Sequence, residues 1–322
     1  MRYSHLGRSG LRVSRLCLGT MSFGMQTSEE NSHAILEAAH ESGVNFLDTA
    51  NTFGGRSWEG WTEQIIGRWL AQGGGRREWM VVATKVYGTM GESPNDTYLS
   101  ARSIRRACDS SLKRLQTDYI DVYQMHHVDR GTPWEEIWQA MEVLVAQGKV
   151  LYVSSSNFAG WQIVQAQETA RARHFLGLVS ERSLYNLMAR TVELEVIPAC
   201  ESYGLGLVTW SPLQQGLLAG VLGKEMSARP TTDSAMKLLE RHHVQIERYE
   251  KLCAELSHHP TAVSLAWLLA HPVVTAPIVR ARTLAQFTSA MRAVDIVLDD
   301  DTLAQLDQIF PGPGPAPEAY AW

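Results

Sequence analysis

The chain has 322 residues, 45% hydrophobic and 20% charged, with a formal net charge of −5 at pH 7 and a sequence pI near 6.1. That length admits two average domains or one large barrel. The mild acidity gives no electrostatic case for nucleic acid or an anionic membrane as a partner. The four scattered cysteines, Cys17, Cys108, Cys200 and Cys253, form no CxxC pair and read as reduced thiols of a cytoplasmic protein, with Cys17 a core residue. The opening MRYSHLGRSGLRVSRLCLGT is too charged for a secretory signal. The apolar stretch VSLAWLLAHPVV, broken by His271 and Pro272, is too short to span a bilayer.

In chain order, residues 1–14 read as a hairpin turned at Arg8-Ser9-Gly10. Strand-like runs follow as RLCLGT, NFLDTA, MVVATKV, YIDVYQMH, VLYVSSSN, LGLVSER, GLVTWSPL and VVTAPIV. Between them lie stretches such as EENSHAILEAAHESG and PWEEIWQAMEVLVAQGK, whose apolar residues recur at three and four. Thr27 with Glu30, Thr132-Pro133 with Glu135, and Thr283 with Gln286 predict capped helix starts, and Gly148 predicts a helix end. Residues 226–258 add a helical stretch ahead of the last repeat, and the Pro/Gly-rich tail, residues 311–322, is expected to hold no regular structure. Eight apolar strands joined by crossover helices, without a splitting linker or a GxGxxG after the first strand, predict one α/β domain over residues 1–322. Its expected form is a (β/α)8 TIM barrel with an N-terminal hairpin and extra C-terminal helices.

In such a barrel chemistry collects at the C-terminal ends of the strands. Asp48 follows the second strand, Lys85 the third and His126 the fourth, while Ser155-Ser156-Asn157 and Trp210-Ser211 end later strands. An aspartate, a lysine and a histidine at one mouth are the parts of a tuned acid/base site, the carboxylate holding the ammonium. The doublets His126-His127, His242-His243 and His258-His259 predict no metal, because adjacent histidines point to different faces of a strand or helix. Arg102, Arg105 and Arg106 read as a solvated helix face.

The segments FLDTANTFGG, VVATKV, IDVYQMH, VSSSNF, LYNL and WSPL resemble, in order and spacing, the aldo-keto reductase superfamily, in its potassium-channel β-subunit-like and bacterial branch. The likeness runs from about residue 1 to residue 310. It implies NADPH laid across the C-terminal face of the barrel and hydride transfer to a carbonyl by an Asp, Tyr, Lys and His tetrad. Asp48, Lys85 and His126 match three members, with Phe53 in the tyrosine position. By the same resemblance Ser156 and Asn157 would hold the nicotinamide amide, Trp210 would stack on its ring, and Ser211, Leu213, Arg280, Arg282 and Gln286 would line the rest of the cofactor groove. Trp58, Trp61, Tyr87 and His127 are candidates for the substrate pocket, and the aromatic loops suit a small cyclic molecule.

The departures from the family pattern shape the functional expectation. Phe53 has no proton to give, and general acid–base assistance is worth roughly two to four orders of magnitude in rate. Arg182 replaces the glutamine of the nicotinamide clamp, and Gln214 and Gln215 stand where glycines let backbone approach the pyrophosphate. Arg280, Ala290 and Ser154 replace a glycine, an asparagine and a glycine. Side chains in place of glycines would crowd a groove meant for NADPH. The expectation that follows is cofactor-independent acid/base chemistry, an elimination, dehydration or isomerisation, in which Lys85 and His126 act as base and acid in turn. The alternatives are an NADPH-dependent aldehyde or ketone reductase, native or impaired at Phe53, and a non-catalytic binding barrel. The oligomeric state is left open.

Overall fold

Parallel hydrogen bonding closes a ring of eight strands in the computed structural model, which describes residues 1–55, 59–223 and 232–321. Tyr3–His5 (β1) and Arg12–Ser14 (β2) pair antiparallel as the N-terminal hairpin. The barrel strands are Cys17–Gly19 (β3), Phe46–Asp48 (β4), Val81–Val86 (β5), Ile120–Met125 (β6), Val150–Ser156 (β7), Leu178–Leu184 (β8), Gly206–Trp210 (β9) and Val274–Val279 (β10). They run in sequence order around the ring, and β10 closes on β3.

Alternation along each strand sorts the side chains. Leu47, Val82, Tyr123 and Val153 point outward into the main core under the helices, while Phe46, Ala83, Val122 and Val208 fill the barrel interior. Leu6 and Val13 of the hairpin join that interior cluster. Gly7 makes this approach possible: at φ 56 it lies so close that a Cβ would come 2.3 Å from the Val179 carbonyl oxygen. The hairpin thus plugs the N-terminal end and leaves the polar residues at the opposite rim.

Some boundaries differ from expectation for identifiable reasons. Helix Glu29–Glu41 is capped by Ser28, not Thr27, with Ser28 Oγ accepting from the Asn31 amide at 3.3 Å. Helix Trp134–Ala146 has Pro133 at its cap position, because Thr132 gives its hydroxyl to Asp129 Oδ2 at 2.7 Å. A carboxylate is the stronger acceptor, so the expected Thr132 cap does not form. Thr283 does cap helix Leu284–Met291, but Gln286 Oε1 accepts from the Arg282 amide rather than closing the box on Thr283. Gly148 ends its helix at φ 70.

The extra helical stretch ahead of the last repeat is seen as Asp233–Arg241 and His243–Glu255; residues 226–231 lie outside the described residues. The tail is not wholly irregular. Glu318–Ala321 makes one helical turn, because the Pro315 and Pro317 carbonyls accept amide bonds from residues 319–321. Tyr320 donates to Glu195 at 3.3 Å. Among the described residues no helix is long and apolar enough to cross a membrane, and no cluster of three metal-ligating side chains occurs.

Candidate active site

The register sets Asp48 at the end of β4 beside β5, which carries Lys85 to the same rim. Lys85 Nζ donates to Asp48 Oδ1 and to the Thr49 carbonyl, both at 2.6 Å. Arg182 enters from β8. Its Nε donates to both Asp48 oxygens at 3.2 Å, and Nη2 lies 3.1 Å from Oδ2. One carboxylate therefore serves two cations, and Lys85 and Asp48 are 0% and 1% exposed. Burial alone would raise the Asp48 carboxyl, but Arg182 and Lys85 hold it below the usual range. Burial, with Arg182 adding to it against the pull of Asp48, brings the Lys85 ammonium down to about 8.

Phe53 covers this cluster. Lys85 Nζ lies 5.0 Å from the centroid of its ring, and the His126 ring meets it edge-on at 6.1 Å. Burial first, then Lys85 and Arg182, drives the His126 imidazolium down to about 2. Burial and the two cationic neighbours thus disfavour the charged form that the expected acid role of His126 would use, and favour a neutral imidazole at the mouth. His127 is exposed, and its ring stacks on that of His126 at 5.1 Å and 12°. The two rings need not point apart, since both residues lie beyond Met125, the last of β6. Tyr87 packs edge-on against His127 at 5.3 Å. Trp61 opens helix Trp61–Leu70 with the Arg68 guanidinium 5.0 Å from its ring, and Trp58 lies outside the described residues.

Asn157, at φ 59, ties the next strand ends together. Its Nδ2 donates to the His126 carbonyl at 3.2 Å and to Ser156 Oγ at 3.0 Å, and its Oδ1 accepts from Trp210 Nε1 at 3.0 Å. Arg182, expected at the nicotinamide clamp, is drawn to Asp48 and lies 5.9 Å from the Trp210 ring.

The groove expected to be crowded is not crowded in the way the substitutions suggest. Ala290 is buried among Leu16, Val279 and Ala293, and Ser154 is buried with its hydroxyl bonded to Ser180. Ser211, Gln214 and Gln215 keep left-handed backbone at φ 55, 43 and 56, the path a glycine would take. The Gln214 side chain folds onto Asn186 at 2.9 Å, and Gln215 Oε1 accepts from Ser234 at 3.4 Å. Leu213 packs on the Ala290 cluster. Arg280 and Arg282 stand exposed before the helix that carries Gln286, and no carboxylate among the described residues pairs with either. Burial and then Arg282 lower the Arg280 guanidinium.

Three residues were passed over in the sequence. Asn51, in the same DTANTF run, is 1% exposed with neither amide atom bonded, and it lines a cavity of about 70 Å³ with Gly88, Ser103 and Arg114. Gln124 pairs in register with Lys85 and is buried with Oε1 unbonded. Glu181, beside Arg182 in sequence, is wholly buried. Only their nearness to matched motifs could have flagged them.

Residues 15–310 match the model of the Aldo/keto reductase family. The chain belongs to that family. It is 52% identical over the whole length of both chains to the uncharacterized oxidoreductase YrpG of Bacillus subtilis. It is 35% identical, over 92% of each chain, to a probable voltage-gated potassium channel subunit beta of Oryza sativa. It is 32% identical, over 96% of this chain and 97% of the other, to versiconal hemiacetal acetate reductase of Aspergillus parasiticus. These aldo-keto reductase relatives are named for oxidoreduction or for a channel subunit.

Proposed function

We propose that this aldo-keto reductase is an NADP(H)-dependent enzyme interconverting a carbonyl and an alcohol on a small cyclic molecule. The observation that carries the reading is the charge at the barrel mouth. Lys85 and Arg182 oppose the single carboxylate of Asp48 beside a neutral His126. A rim with surplus positive charge favours an oxygen that becomes negative in the transition state. The names of two of the relatives, an oxidoreductase and a reductase, point the same way.

NADP(H) fits the residues present. Arg280 and Arg282, which pair with no carboxylate among the described residues, suit a phosphate dianion, and Ser211, Gln214 and Gln215 keep the backbone path a glycine would take. When bound, the cofactor supplies or accepts hydride. The chain's own groups do the rest. Asp48 fixes Lys85; burial first, then Lys85 and Arg182, keeps His126 neutral, and the two cations place positive potential on the substrate oxygen. His126 then polarises that oxygen through an imidazole N–H, as a neutral histidine can. Phe53 keeps water from Lys85 and offers its face to a ring-bearing substrate. Four free cysteines suit a reducing, cytoplasmic compartment.

Phe53 itself favours a second reading, proton transfer without cofactor, in which Lys85, titrating near 8, is the base. NADPH consumption with a panel of aromatic aldehydes and ketones separates the two. Consumption that is lost in His126→Ala supports the reductase. Isomerisation or dehydration without NADPH supports the second reading.

A further inference from the structure

Glu181 is a carboxylic acid where the fold has no charge to offer it. It lies on the outer side of β8, 0% exposed. Among the described residues no cation faces it; the titratable side chain nearby is Cys200 of helix Val196–Tyr203, itself held as a thiol by burial. Burying a lone carboxylate is costly unless donors satisfy it. Here they do. Ser155 donates to Oε2, Ser183 Oγ donates to Oε1 at 2.7 Å, and the Phe158 amide donates to Oε1 at 3.2 Å. Two of the three flank one turn: Ser155 precedes and Phe158 ends residues 156–158 at the end of β7, while Ser183 lies two residues along β8.

That turn is strained at Asn157, and the site depends on it. Ser155 pairs with Glu181 and Ser156 with Arg182 in register, and the Asn157 amide donates to the Arg182 carbonyl at 3.0 Å. Asn157 then reaches the His126 carbonyl and the Trp210 indole. A neutral amide at position 181 would serve poorly, because donors approach both oxygens and an amide has one acceptor atom. We propose that Glu181 is a positioning residue: as an acceptor-only carboxylate it locks the Ser156–Phe158 turn, and through Asn157 it sets Trp210 and the His126 loop. Its consequence for cofactor binding rests on the reductase reading; its geometry does not.

Burial raises this carboxyl to about 7 against the hydrogen bonds that favour its ionised form. Protonation turns an acceptor into a donor and releases one of the three bonds. The test reads Trp210 emission as the difference between the spectra of the full chain and its Trp210→Phe variant, across about two pH units either side of neutrality. A shift with its midpoint near 7, absent from Glu181→Gln, is expected. Glu181→Gln should also raise KM for NADPH about tenfold with kcat changed less, as the loss of one buried acceptor implies. A folded Glu181→Gln whose Trp210 emission matches that of the wild type at every pH overturns the proposal. If the wild type shows the shift but binds no NADPH, the positioning role stands and the reductase reading falls.

Discussion

Lys85 holds its ammonium 5.0 Å from the centroid of the Phe53 ring, where the family pattern would set a phenol. On the reductase reading the lysine, the aspartate that anchors it and the histidine opposite are three of the family's tetrad, and a single oxygen atom separates Phe53 from the fourth. Phe53→Tyr should raise kcat for aldehyde reduction by about a hundred- to ten-thousand-fold, the usual worth of a placed acid. Steady-state NADPH oxidation measures it. An unchanged kcat would mean that the rim no longer addresses a carbonyl.

The barrel and its strand-end residues were legible because eight apolar runs and their spacing survive in the chain, and strand ends converge whatever the loops do. What could not be read was where side chains turn. Ser154 lies beside a register shift between Val153 and Ser155, so simple alternation does not give its partners. Arg182 finds Asp48 across 134 positions of sequence, a pairing only barrel closure creates. Gln214 looks like an obstruction until Asn186 draws it aside. Glu181 is one more polar residue in a strand until the β7 turn is seen wrapped around it.

The pH profile follows from Lys85. On the reductase reading its ammonium supplies potential to the substrate oxygen and is lost as pH rises through about 8, so kcat/KM should fall on that side. Arg182 is one of the causes lowering Lys85, so Arg182→Gln should move the alkaline limb to higher pH while reducing the rate at neutrality. A limb that moves downward, or does not move, contradicts the coupling.

Asp48 is the one carboxylate facing both the buried Lys85 and the partly buried Arg182. Asp48→Asn should cost about 3–5 kcal/mol of stability, since it leaves Lys85 and Arg182 facing each other without their carboxylate. Combining it with Lys85→Met should restore part of the loss. Denaturant midpoints of the single and double variants test this; additive losses would show that the three groups do not act as one unit.

On the reductase reading Arg282 holds a phosphate of the cofactor. Arg282→Ala should weaken NADPH about ten- to a hundredfold, the worth of a charge-assisted hydrogen bond, and leave NADH affinity nearly unchanged. Equal losses for both cofactors would place the arginine elsewhere.

The most direct test of cofactor use is titration of NADPH and NADP⁺ into the full chain, followed by tryptophan quenching and by heat. The reductase account predicts saturable binding with Kd on the order of micromolar, within the range of −8 kcal/mol. No binding at millimolar cofactor would contradict it and would turn attention to proton transfer abolished by Lys85→Ala.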